Sequence, residues 1–184
     1  MPDPFRRIAL IATAVLVPVV VAVIVLAHVL GGGAGDSTAR VVGPTAPPRA
    51  ELPVLPVDVP PVTPQADADC PGLMRALPPE LMREPSRRVK SASPFAYAWG
   101  DPPVVLVCGV AAPAGFVRGA SAIQINGVQW YVDTSDKDTT VWTTVDRPVN
   151  VEVRVPASID SAPVTSLTTQ IAGSLPYREP TPGK

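Results

Sequence analysis

Histidine is nearly missing from this chain: there is one, His28, in 184 residues. That excludes Ser-His-Asp and Cys-His catalysis, in which an imidazole must take and return a proton. Cysteine is scarce too, with two residues, Cys70 and Cys108. A structural zinc site usually needs four nitrogen or sulfur ligands, and two thiols without a nearby imidazole do not supply them. No Gly-rich phosphate loop of the Walker or dinucleotide type occurs. There is no surplus of either charge, with 15 basic against 16 acidic residues. A nucleic-acid binder normally carries a basic stripe, so nucleic acid is not an expected partner. Serine and lysine are both present, so a Ser-Lys pair stays open, but nothing in the sequence marks one. No cofactor, metal or catalytic residue is expected.

What the chain does have is unevenly placed. Residues 8–30, from Ile8 to Leu30, form a run of 23 without Asp, Glu, Lys or Arg. As a helix it would span roughly 34 Å, enough to cross a ~30 Å hydrocarbon core. Pro18 would kink it, and membrane helices tolerate proline. Arg6 and Arg7 precede the run and the next charge is Asp36. The positive-inside rule then puts residues 1–7 in the cytoplasm and everything after the span outside. The competing reading is a cleaved signal peptide, but its apolar region would be only about 7–15 residues. His28 is read as reaching the headgroup region at the helix end.

Residues 31–69 read as a linker, glycine-rich at first and then proline-rich, with eight prolines from Pro44 to Pro64. Glycine followed by proline reads as a hinge and a stiffer polyproline-II spacer. Some 25 such residues reach roughly 75 Å at ~3.1 Å each. Within it, Val54, Leu55, Val57, Val59 and Val62 are apolar, and docking on the chain's own domain would keep them from water. A partner's aromatic groove is the other destination for such a segment.

Residues 70–176 have the composition of a globular domain. Cys70–Glu84 reads as one or two helical turns, with Pro71 at the start and Pro78-Pro79 as the stop. Val104–Val110 is a continuous apolar run and reads as a strand buried on both faces. Asn126-Gly127 between alternating runs is a hairpin signal, pairing Ile125 with Val128 and Ile123 with Trp130. Residues 149–155 alternate valine with Asn150, Glu152 and Arg154, giving a strand with one buried face that pairs with 139–145. Val164, Leu167, Ile171 and Leu175 recur at helical spacing, and the helix should lie on the sheet. Residues 177–184 read as a disordered tail. The expected fold is α+β: a small, mainly antiparallel sheet with a C-terminal helix on one face, carried by one transmembrane helix and a Pro-rich linker.

Cys108 could be a reactive thiol, a metal ligand or half of a disulfide. A buried apolar strand raises a thiol's pKa, and no base is near to lower it. With an even count in an oxidising compartment, a Cys70–Cys108 disulfide is expected. Three further clusters have bland readings beside the functional ones. Asp133, Ser135, Asp136 and Asp138 could hold a cation, but the loop lacks the glycine and terminal glutamate of an EF-hand, so a solvated turn is preferred. Arg87 and Arg88, with Arg83 and Lys90, could face anionic lipid or wall polymer, or simply water. Trp99 and Asp101 could edge a ligand site, or form a turn with a core tryptophan.

Cys70-Pro71-Gly72-Leu73, Ala98–Val110 (AWGDPPVVLVCGV) and Asn126-Gly127-Val128-Gln129-Trp130 together resemble the DUF3515 family of actinobacterial envelope proteins. The likeness runs from about 70 to 176, and its Trp-Gly-Asp-Pro segment leading to Cys-Gly is the most specific part. The basic residue common before that cysteine is Val107 here. The resemblance implies an address and a fold unit but no reaction. The expectation is a membrane-anchored extracytoplasmic module that binds an envelope protein or cell-wall component. The alternative is an enzyme acting on an envelope substrate without histidine chemistry.

Overall fold

A computed structural model describes residues 52–184. The span expected at 8–30 lies outside the described residues. Among the described residues no helix is long and apolar enough to cross a membrane.

Ten strands and two helices follow in order. They are β1 (Leu55–Pro56), α1 (Pro64–Ala76), β2 (Glu80–Leu81), β3 (Glu84–Arg87), β4 (Val89–Lys90), β5 (Ala96–Trp99), β6 (Val104–Val110), β7 (Ile123–Ile125), β8 (Val128–Asp133), β9 (Thr139–Thr144), β10 (Asn150–Pro156) and α2 (Ala162–Ser174). Eight strands form one antiparallel sheet in the order β2-β3-β5-β6-β10-β9-β8-β7. The α+β expectation holds, with a second helix beside the C-terminal one.

Local chemistry sets the hairpin. Asn126 and Gly127 both adopt positive φ, at 45° and 78°. The register is Ile125 with Val128, Gln124 with Gln129 and Ile123 with Trp130, as the alternation requires. Val164, Leu167 and Ile171 on α2 and Leu175 just after it are all buried. They pack with Leu106, Cys108, Val128, Trp130, Val151 and Val153 from one face of the sheet. Helix α1 joins the same core through Ala66, Cys70 and Leu73, one stripe at helical spacing.

That helix starts at Pro64, inside the segment assigned to the linker, and not at Cys70. Pro64 takes the first helical position, where its missing N–H is no loss. Thr63 caps the helix, its hydroxyl accepting from the Ala66 N–H at 3.1 Å. Pro71 therefore sits inside the helix and not at its start. The helix stops at Ala76 because Leu77, held extended, precedes Pro78-Pro79.

The linker is shorter than 31–69 for a second reason. Residues 52–59 lie along the domain as a strap. The Leu55 N–H donates to Arg88 O at 2.9 Å and the Val57 N–H to Lys90 O at 3.0 Å, making β1 a parallel partner of β4. Val57, with Leu55 and Val59 beside it, packs against Ala98, Val105 and Val107 on the sheet's second face. Strand β6 is thus buried on both faces, and the valines of the linker are what cover one of them. A burial of this kind stabilises by roughly 25 cal/mol per Å² of apolar surface removed from water.

The tail at 177–184 is tied down, where disorder was expected. The Arg178 N–H donates to Asp146 O at 2.8 Å and the Gly183 N–H to Phe116 O at 2.9 Å. A proline-rich segment cannot fold on itself, but it can lie extended and lend its remaining N–H groups to a neighbouring loop.

Candidate functional site

The four residues proposed from sequence as a ligand or partner surface divide into two that are buried and two that are exposed. Trp99 is 1% exposed, and its indole N–H donates to Pro78 O at 2.9 Å. It is a core tryptophan beside Tyr97, ring centroids 4.7 Å apart. Arg87 is buried as well, at 7% exposure. Its guanidinium donates to Gly100 O at 3.1 Å and Pro53 O at 3.0 Å, and meets Asp101 Oδ1 at 3.4 Å. It is a clasp that joins β3, the turn after β5 and the strap. Asp101 is half-exposed and Arg88 is exposed. The Trp-Gly-Asp-Pro turn is structural: Gly100 has φ +70°, which a side chain would strain.

The acidic loop is likewise accounted for locally. Asp133 Oδ1 accepts from the Ser135 N–H at 2.8 Å, and Asp136 Oδ1 from the Asp138 N–H at 2.9 Å. These are turns closed by aspartate side chains. The Ser135 backbone N–H and hydroxyl hold the Asp133 carboxyl below its usual range. Among the described residues, no group of three or more His, Cys, Asp or Glu is placed to hold a metal ion.

Cys70 and Cys108 are disulfide-bonded, S–S 2.07 Å, as expected. The bridge ties α1 to the centre of the sheet. Immediately after it, β6 carries a bulge. Val151 pairs with Cys108 and Asn150 with Val110, so Gly109 has no partner of its own. Gly109 adopts φ +96°, and a Cβ there would meet the Ala66 Cβ at 2.7 Å. Both backbone and space demand glycine. Gly109→Ala is expected to cost about 2–3 kcal/mol, from positive-φ strain plus overpacking against α1. The midpoint of urea unfolding measures this, and a loss under ~0.5 kcal/mol would show that α1 moves aside freely.

The bulge bends β6 where a cleft of about 530 Å³ opens. Four separated segments line it: Pro60–Gln65, Gly109–Phe116, Val145–Asn150 and Arg178–Thr181. Its walls are mainly apolar, from Val110, Phe116, Pro148 and Val149. Asn150 braces the floor. With its amide set to satisfy both ends, it donates to Thr144 O and accepts from the Ala112 N–H, each at 3.1 Å.

Behind the cleft lies an ion pair that sequence reading passed over as a short connection. Asp146 and Arg147 are 1% and 5% exposed. Arg147 Nη1 is 3.2 Å from Asp146 Oδ2 and donates to Asp146 O at 2.9 Å, while Nη2 donates to Gly127 O at 2.9 Å. Asp146 Oδ2 also accepts from the Gln129 N–H at 2.9 Å. Burial pushes the Asp146 carboxyl above its ordinary value, against the opposing pull of the Gln129 N–H and the Arg147 guanidinium. The pair locks the β7–β8 hairpin to the β9–β10 turn. Through Asp146 O it also holds the tail that walls the cleft. A local signal for it did exist: an Asp-Arg-Pro connection between two strands too tight to leave both charges in water.

No curated protein and no solved structure matches the chain. One family model does match, over residues 13–180, and it takes in the strap, the disulfide, the bulge and most of the cleft. The chain therefore belongs to DUF3515, a family described as proteins of unknown function.

Proposed function

We propose that this protein is a non-enzymatic binding module, anchored in the cell membrane by residues 8–30 and displayed outside it, which engages an envelope protein through the cleft beside Gly109. The observation that carries the reading is the make-up of that cleft. Apolar walls with a few fixed polar groups are what ligand recognition uses. Catalysis would ask for an acid and a base facing one reacting atom. Here the one lining carboxylate is the exposed Glu179. Asp146, whose proton affinity is raised, sits behind Arg147 and does not line the cleft.

The anchor and its orientation rest on the uncharged run 8–30 and on Arg6 and Arg7 before it.

The test places a photo-crosslinking residue at Gln65 or Thr181, from two separate segments of the cleft lining, in the full-length protein in its own envelope. Lys137, at the far end of β9, is the control. The expected result is one defined protein adduct from both cleft positions and none from the control. Equal labelling at all three positions, or none at any, would overturn the proposal.

A further inference from the structure

The two edges of the eight-stranded sheet are not alike. The β2 edge carries Glu80 and runs into Arg83 and Glu84. Charge at an edge is one of the devices that keep it from pairing with another chain. The β7 edge has neither charge nor proline, and no charged residue occurs between Arg118 and Asp133.

The register fixes which way the β7 backbone points. A two-residue loop is closed by a hydrogen-bonded pair, here Ile125 with Val128, so Gln124 and Gln129 form the next, non-bonded pair. Gln129 turns its own groups the other way: its N–H donates to Asp146 Oδ2 and its C=O accepts from the Val145 N–H, each at 2.9 Å. The N–H and C=O of Gln124 therefore point outward, and they have no partner among the described residues. Ile123 and Ile125 lie on the core face, opposite Trp130 and Val128. Those two are fully buried and Ile125 packs against the core, yet Ile123 is 49% exposed. The apolar face continues to the edge and is uncovered there.

The strand itself selects the occupant. Ile123-Gln124-Ile125 reads the same in both directions, and its centre is the residue whose backbone groups point outward. A two-fold axis requires such self-complementarity, since each residue must meet the position that meets it on the other copy. About Gln124, the two copies of that residue exchange both backbone hydrogen bonds. Ile123 of each then meets Ile125 of the other as a closely spaced, non-bonded pair. Without charge, two identical surfaces approach each other with no repulsion. We infer that β7 pairs antiparallel with β7 of a second copy of this chain, on a two-fold axis at Gln124, joining the two sheets into one. No residue of β7 lines the cleft, so this inference does not rest on the cleft reading.

The experiment is oxidative crosslinking of the full-length protein in its own membrane, with two differently tagged copies co-expressed and Gln124→Cys in both. An antiparallel hydrogen-bonded pair sets Cα atoms ~5.5 Å apart, inside the roughly 4.4–6.8 Å that a disulfide spans. Ser121→Cys is the control. It is exposed like Gln124, but its two copies would be about six residues out of register, roughly 20 Å apart. The expected result is a disulfide-linked dimer carrying both tags from Gln124→Cys. Ser121→Cys should give at most a trace, and so should the chain without substitution, whose two cysteines are bonded to each other. Adding Ile123→Lys to Gln124→Cys should lower the dimer yield at least about fivefold, through lost isoleucine contacts and like charge at the seam. Ile123 is half-exposed, so the fold accommodates lysine there. No dimer from Gln124→Cys, equal dimer from both cysteine positions, or a yield indifferent to Ile123→Lys overturns the inference. Capture of a different protein in place of the second copy overturns it too.

Discussion

Replacing Cys70 and Cys108 together by alanine lowers the unfolding free energy by about 4 kcal/mol, the loop-closure entropy that a bridge of this span removes from the unfolded chain. The two residues are separated by 38 positions, so the closed loop is long enough for that term to be large. It encloses the second half of α1, the strands β2 to β5 and most of β6. None of that stretch pairs with β7, β8 or β9, so without the bridge it is held mainly through β6 and the shared core. Small domains have only about 5–15 kcal/mol in total, so the loss is a large fraction of what is available. Both sulfurs are buried, and alanine leaves a void beside Ala66 and Gly109. The void adds to the cost. Urea unfolding followed by tryptophan fluorescence measures it, because Trp99 and Trp130 are fully buried and Trp142 packs against Trp130. A loss below about 1 kcal/mol would mean that the reduced loop keeps its structure in the unfolded ensemble, and the entropic account would fail.

The disulfide was legible because its logic is local and arithmetical: two cysteines, no ligands nearby, and an expectation of export. So was the β7–β8 hairpin, whose register follows from two positive-φ residues between alternating strands. Helix α2 was legible from four apolar residues at helical spacing, and β6 from a run too apolar to have a wet face. What stayed hidden depends on partners far away in sequence. Arg87 looked like a surface cation because the carbonyls that bury it belong to Pro53 and Gly100. That the strap docks was legible from its valines, but where it docks was not, because the apolar face that receives it is built by Ala98, Val105 and Val107 on two later strands. Helix α1 was placed too late because Pro71 resembles a helix start, while Thr63 and Pro64 provide the real one. The tail was read as disordered because its composition gives no core, yet its order comes from backbone bonds to Asp146 and Phe116. The cleft draws on four segments spread from Pro60 to Thr181, so no single stretch of sequence carries its signal.

Arg147→Met is expected to destabilise the domain by about 3–5 kcal/mol, the range for removing one partner of a buried ion pair. Methionine fills much of the volume but makes none of the bonds to Asp146 O, Asp146 Oδ2 and Gly127 O. Asp146 is then left with a buried carboxylate, and its only remaining side-chain bond is the one from the Gln129 N–H. Removing the guanidinium takes away one of the two influences that restrain its raised proton affinity, so the carboxyl shifts further toward its neutral form and limits the loss. Asp146→Asn combined with Arg147→Met removes both charges while keeping an acceptor for the Gln129 N–H. The double variant should therefore recover a substantial part of the single loss, because a buried pair contributes little net once its desolvation is counted. A double-mutant cycle from urea unfolding of the four proteins gives the coupling directly. Coupling of less than ~0.5 kcal/mol would mean that Arg147 acts through its carbonyl contacts alone and that Asp146 is held by the hairpin without it. The same cycle bears on function. Arg147 anchors the floor of the cleft and Asp146 O holds the Arg178 backbone on its wall. A variant that keeps the wall and loses the floor side chain, as the double variant does, should lower photo-crosslinking from Gln65 and Thr181 while its tail stays in place.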